Sequence, residues 1–226
     1  MNIRLVSVAF SIGAGFVPFL PAADLSVYRD FHLGMTVAEV AKQTGVPASQ
    51  ARVIAIRPEP IEQLGLADRL DSRSAELPAS SPPSGILFSF YNNELFAIAI
   101  SYREKTAGLT ESNMVEAISA VYGPVKKQVL GEVTFESGVN TTAKAFARWE
   151  DHSRLMLVDL PYASGFGLSL SSSSMKAKAE QAILDSTRLD LADAPRRQAA
   201  LRDNQSADAR AAEENARLSN KPGFRP

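Results

Sequence analysis

The segment at residues 85–104, GILFSFYNNELFAIAISYRE, constrains the fold more than any other stretch of the chain. Ile86, Phe88 and Phe90 alternate along one face of a strand. Phe96, Ile98, Ile100 and Tyr102 do the same along one face of the next. Between them Asn92-Asn93 suits a tight turn with positive φ, because asparagine tolerates the left-handed region. The pattern predicts an antiparallel hairpin. Its other phase, Leu87, Ser89, Tyr91, Leu95, Ala97 and Ala99, is not strongly polar. That second face is therefore expected either to be covered or to serve as a contact surface.

Two short helical units flank this hairpin. In FHLGMTVAEVAKQTGVP, Thr36 and Glu39 have capping-box spacing, and Val37, Val40 and Ala41 share a face. Gly45 supplies a left-handed stop and Pro47 prevents continuation. In GLTESNMVEAISAVYGPV, Thr110 is the expected N-cap, and Met114, Val115, Ile118, Val121 and Tyr122 form the apolar stripe. Gly123-Pro124 ends it. The second helix is four residues longer, close to one turn, so the same face stays inward.

Strands are expected within KKQVLGEVTFE, AKAFARWE, RLMLVDLP and GFGLSLSS, with Asp151–Ser153 as the turn between the middle pair. ARVIAIR, residues 51–57, reads as a further strand. Residues 58–84 are rich in proline and serine and read as a long loop with one helical turn around Ile61–Leu70. From Ser174 a helix is expected to about Ala194, where Pro195 interrupts it. The Ala-rich, charged remainder has little to bury and is expected either as a solvated helix or as disordered chain.

The fold class that follows is α+β: two layers, with the helices packed on one face of an antiparallel sheet. The domain reading is an export segment at 1–23, an α+β domain at 24–174 and a C-terminal helical extension at 175–226. Within the domain, 31–104 and 108–174 form two helix-plus-strands halves.

Composition narrows the chemistry. The chain has 226 residues and a formal net charge of −1, which argues against bulk attraction to nucleic acid. It contains no cysteine, which removes disulfides, thiolate nucleophiles and Cys-based metal sites. MNIR followed by the uncharged run LVSVAFSIGAGFVPFL and then PAAD reads as an export signal. The alternative is an uncleaved N-terminal anchor. Cleavage implies a periplasmic or secreted protein with no stable membrane span.

The order Gly-Met-Thr, short helix, Gly-x-Pro and antiparallel strands resembles a bacterial envelope fold. It is shared by small β-barrel-assembly lipoproteins of the BamE/SmpA type and by the β-lactamase inhibitor protein. The resemblance rests on Gly34, Met35, Thr36, Val40, Gly45 and Pro47, and more loosely on Gly108, Thr110, Ile118, Tyr122, Gly123 and Pro124. It implies an exported module that works by protein–protein contact with a partner in the cell envelope. The chain departs from both groups in lacking the lipobox cysteine and the disulfides. Fold alone does not fix function.

Candidate sites are few. His32 and His152 are the only histidines; Asp151 adjoins His152, but no G-x-S-x-G elbow accompanies them. No metal-loop or phosphate-loop motif occurs. No catalytic, metal-binding or cofactor-binding residue is therefore assigned, and no cofactor is expected. Tyr91 and Trp149 are the expected partner-binding residues, because each offers apolar area with a polar handle. Two alternatives stay open. One is a small apolar ligand held between helices and sheet near Phe88, Phe90 and Ile100, with 58–84 as its cover. The other is a hydrolase built on His152 and a serine.

Overall fold

The structure is a computed structural model that describes residues 24–66, 83–102, 110–126, 131–136, 140–160 and 165–223. The expected export segment 1–23 and residues 67–82 of the long loop lie outside them. A small two-stranded ribbon, β1 (Val27–Tyr28) and β2 (Phe31–His32), precedes helix α1 (Val37–Thr44). Strands β3 (Arg52–Ala55), β4 (Ile61–Leu66), β5 (Gly85–Tyr91) and β6 (Glu94–Tyr102) follow. Helix α2 (Glu111–Tyr122) then leads into β7 (Gly131–Glu136), β8 (Asn140–Glu150), β9 (Ser153–Leu160) and β10 (Gly165–Ser172). The 48-residue helix α3 (Ser173–Asn220) closes the series.

Local chemistry sets the helix boundaries. The Thr36 backbone N–H donates to Glu39 Oε2 at 2.8 Å while the Glu39 N–H donates to Thr36 Oγ1 at 3.3 Å. Gly45 ends α1 at φ 68°, the left-handed conformation expected of it. Helix α2 repeats the cap with Asn113 in place of glutamate: its Oδ1 accepts from the Thr110 N–H at 3.0 Å.

Eight strands form one antiparallel sheet in the order β3-β4-β5-β6-β10-β9-β8-β7. The order is palindromic. Each helix α1 and α2 is followed by a four-stranded meander, and the two meanders join through their last strands. That seam pairs Leu168 with Ile100 and Leu170 with Ile98. Asn92 and Asn93, with φ of 49° and 64°, make the expected turn between β5 and β6.

One face of the sheet carries the main core. Rows such as Phe88–Ile98–Leu170–Leu155 and Ile86–Ile100–Leu168–Leu157 cross the seam without a break. Val37, Val40 and Ala41 of α1 and Ile118 of α2 join the same cluster. The side-chain periods of helix and strand therefore meet where the sequence places them.

Helices α1 and α2 contribute to this core, whereas the C-terminal helix α3 packs into a separate cluster. Ala179 and Ala182 of α3 are buried with Ala55, Ile61 and Phe96 on the reverse side. The expected phase of β6 fails at its start, for a local reason. A register shift opposite Ser89/Phe90 leaves Phe96 unmatched, so Leu95 enters the helix-covered core and Phe96 turns to the other side. Val40 and Ile118 thus share a core with Phe88 but not with Phe96.

The reverse face curls. In a flat sheet β7 and β10 would lie roughly 14 Å apart, three strand spacings. Yet a β-carbon placed on Gly167 of β10 would fall 2.8 Å from the Phe135 ring of β7. Ala99, Ala143, Ala145, Val158 and Leu160 complete this second cluster, and the small side chains leave room for the ring. A register shift at Ala145/Ala147 gives β8 an extra residue, a feature that bends a strand.

Two further expectations are corrected. The segment around Ile61–Leu66 is strand, not a helical turn. Ile61 faces α3 and Leu64 faces the main core, so coverage on both sides mimics a helical spacing of three. Helix α3 also continues through Pro195. Proline removes one N–H from the ladder; nearby, Arg197 Nη2 donates to the Asp190 carbonyl at 2.7 Å.

Candidate functional site

The described surface has a concave feature on the reverse face, between α3 and the β3 side of the sheet. Phe96, Ile54, Ile183 and Leu184 give a groove of about 750 Å³ its apolar lining, with Arg52, Gln63, Glu136, Lys176 and Glu180 at its polar margin. The sequence builds it in three steps. Strand β3 is a β-branched run with too few partners to bury both faces. The irregularity between Val53 and Ala55 leaves Ile54 unopposed by β4. Alanine at 179 and 182 then lets α3 approach without filling the space beside Phe96.

Strand β3 ends the sheet, and among the described residues no strand pairs with its outer edge. Val53 is 52% exposed, Ile54 39% and Ile56 78%. Edge strands are usually blunted by charge, proline or a covering element. Here the edge is apolar at Val53 and Ile54; Arg52 begins the strand, and Ile56 and Arg57 lie just past its last residue, Ala55.

Ion pairs frame the groove. Lys176 Nζ lies 3.3 Å from Glu136 Oε1 and 4.0 Å from Glu180 Oε1, tying the base of α3 to the end of β7. Beyond β3, Arg57 Nη1 donates to Asp193 Oδ2 at 2.7 Å and Nη2 to Asp190 Oδ1 at 2.8 Å. These bonds hold both aspartates below the usual carboxylate range and raise the guanidinium in turn. Arg52 Nη2 donates to Gln63 Oε1 at 2.9 Å.

The two expected partner-binding residues separate. Tyr91 is half-buried and packs against the Phe96–Ala179 cluster, on the side of the sheet that faces α3. Burial, then the Glu59 carboxylate beside it, raises its hydroxyl above the ordinary value. Trp149 is 1% exposed and belongs to the main core, so it is not a surface residue. The same shift at Ala145/Ala147 that bends β8 sets its phase, and its indole N–H donates to the Gly123 carbonyl at 3.0 Å. It contributes to a second cleft of about 420 Å³ beside Asp24, Lys126 and Asp151.

The other candidates stay apart. His32 is exposed, with Nδ1 3.2 Å from the Leu33 carbonyl. His152 uses its backbone carbonyl to accept from the Ser173 N–H, and Asp151 accepts from the Ser153 N–H at 2.6 Å. Among the described residues no side-chain bond joins His152 to a serine, and no three His, Asp or Glu side chains converge as metal ligands. Phe88, Phe90 and Ile100 are fully buried and line neither cleft.

Sequence reasoning missed the groove, although its signal was present. Val53 and Ile54 put apolar side chains on both phases of one short strand, and Ile56 follows just past its end. Ile183-Leu184 looks like a weak stripe until the strand is placed beside it.

Comparison with family profiles, with curated proteins and with solved structures finds no match to this chain. Among the described residues no helix is long and apolar enough to cross a membrane.

Proposed function

We propose that this chain is an exported, non-enzymatic protein-binding module of the bacterial envelope. Its partner adds an extended segment along the outer edge of β3. The observation that carries the reading is the apolar edge at Val53 and Ile54, continued by exposed Ile56 just past the strand, beside the groove floored by Phe96. An added strand pairs along the outer edge of β3 and gives alternate side chains to the groove, a common mode of peptide recognition. Tyr91, packed with the Phe96–Ala179 cluster and outside the groove lining, is kept as a partner contact of the reverse face. The export compartment rests on the N-terminal segment and on the resemblance of the two helix units to envelope proteins.

A photo-crosslinking amino acid at Ile56, with the same group at Ala209 as control, tests the reading in cells. The expected result is one crosslinked protein from position 56 and none from 209. That protein, once purified, protects the 52–56 amides from exchange, and Ile56→Asp weakens its binding at least tenfold. A purified partner that protects other amides and leaves β3 unchanged overturns the proposal.

A further inference from the structure

We propose that the first half of α3, residues 173–194, is a detachable strap held chiefly by two ionic clamps, and that it competes with the partner for the reverse face of the sheet. This deepens, and rests on, the reading of the β3 edge as the binding surface.

The packing of α3 is unlike that of the other helices. Of its 48 residues only Ala179 and Ala182 are buried, both alanine, and half-buried Met175 is the one large apolar side chain of the helix packed with them. Beneath them lie larger side chains, Phe96, Ile61 and half-buried Tyr91, which the alanines cover without filling the adjoining groove. By contrast, the eight residues of α1 bury Val37, Val40, Ala41 and Thr44. Helix α3 therefore has much less apolar contact per turn to hold it.

Polar contacts make up the difference, at two points. Lys176, between Glu136 and Glu180, holds the base to β7. Arg57, on the turn between β3 and β4, grips Asp190 and Asp193 about ten residues beyond Ala182. Arg197 bonds to Asp190, and Arg196 also acts on Asp193, so neighbouring cations share the same aspartates. Every group in the Arg57 clamp is more than a third exposed. Exposed pairs are screened by salt, which makes this hold sensitive to ionic strength.

Detachment joins the groove and the covered patch into one surface. Docked, α3 leaves the partner only the β3 edge and the groove wall. Detached, it releases Ala55, Ile61, Phe96 and Ala97 beside that edge. The strap and the incoming segment then occupy the same face by turns.

Hydrogen–deuterium exchange on the full chain reads the strap without any partner. Residues 175–194 are expected to exchange at least tenfold faster than β5, β6 and β10. Arg57→Ala or 1 M NaCl is expected to accelerate them about tenfold more, and Arg57→Lys, which keeps the charge, to reverse most of that gain. Trp149 emission unchanged from the parent chain shows that the body remains folded. The Arg57→Ala chain also binds the apolar dye anilinonaphthalenesulfonate more strongly. Exchange of α3 in step with the sheet, or indifferent to Arg57 and to salt, overturns the strap. That failure would leave the β3 crosslinks standing. Conversely, a mobile α3 with no partner on β3 would sink the binding reading alone.

Discussion

The Phe135 ring fills the space beside Gly167 that a β-carbon would need, with Val158 closing the same space at 2.8 Å. The two residues sit on strands separated by β8 and β9, so their contact measures the curl of the sheet. Glycine is required here for the close approach, not for an unusual backbone angle.

Gly167→Ala should therefore cost about 1–3 kcal/mol, the usual penalty for an overpacked core. Phe135→Leu in the same chain should recover part of it, giving a coupling of at least about 0.5 kcal/mol. Urea unfolding of the two single variants and the double variant measures both. Additive losses would show that the ring and the glycine do not share one space.

Tyr28 is buried, and its hydroxyl lies 3.1 Å from that of Tyr102. Burial, then the neighbouring Tyr102, holds the Tyr28 hydroxyl well above its ordinary value. The folded state keeps a proton that the unfolded chain loses above about pH 10. Stability from this group is thus fully present below that pH and falls above it, by about 1.4 kcal/mol per pH unit. Urea midpoints across the alkaline range should decline more steeply for the parent chain than for Tyr28→Phe. Equal slopes would refute the assignment.

Trp149 is the only tryptophan, and it lies in the main core. Its emission should be blue-shifted in the folded chain and move to the red on unfolding. Trp149→Phe leaves the Gly123 carbonyl without its indole donor and should cost about 1–3 kcal/mol. Emission typical of water in the native chain would contradict its burial.

Thr36→Ala and Thr110→Ala each remove an N-cap and should cost about 1 kcal/mol. The caps are far apart in sequence and serve different helices, so the losses should add within about 0.5 kcal/mol. Thermal or urea unfolding of the three variants decides it.

Much of the scaffold was legible because its signals are local. The Thr36–Glu39 box, the Gly45 stop and the Asn92-Asn93 turn each depend on residues within a few positions of one another. Faces were harder to read. Alternation puts Phe96 on the wrong face because a single unmatched residue reverses the phase of a strand, and nothing in the local pattern marks it. Ile61–Leu66 hid as a strand because both its sides are covered. Trp149 went to the core because the shift at Ala145/Ala147 sets the direction of its strand. The groove depends on α3 returning beneath β3, a contact between residues more than a hundred positions apart that no periodicity reveals.

The palindromic strand order also governs how the chain assembles. Within each meander every strand pairs with the next one in sequence, the widest step being from Leu66 to Gly85, whereas the seam joins Ile100 to Leu168, 68 positions later. Either meander can take shape early, but their union must wait until the last strand exists and finds its register. The rate of reaching the native state should depend on closing that single long-range joint. Until it closes, two open strand edges, β6 and β10, are the places where one nascent chain can capture another.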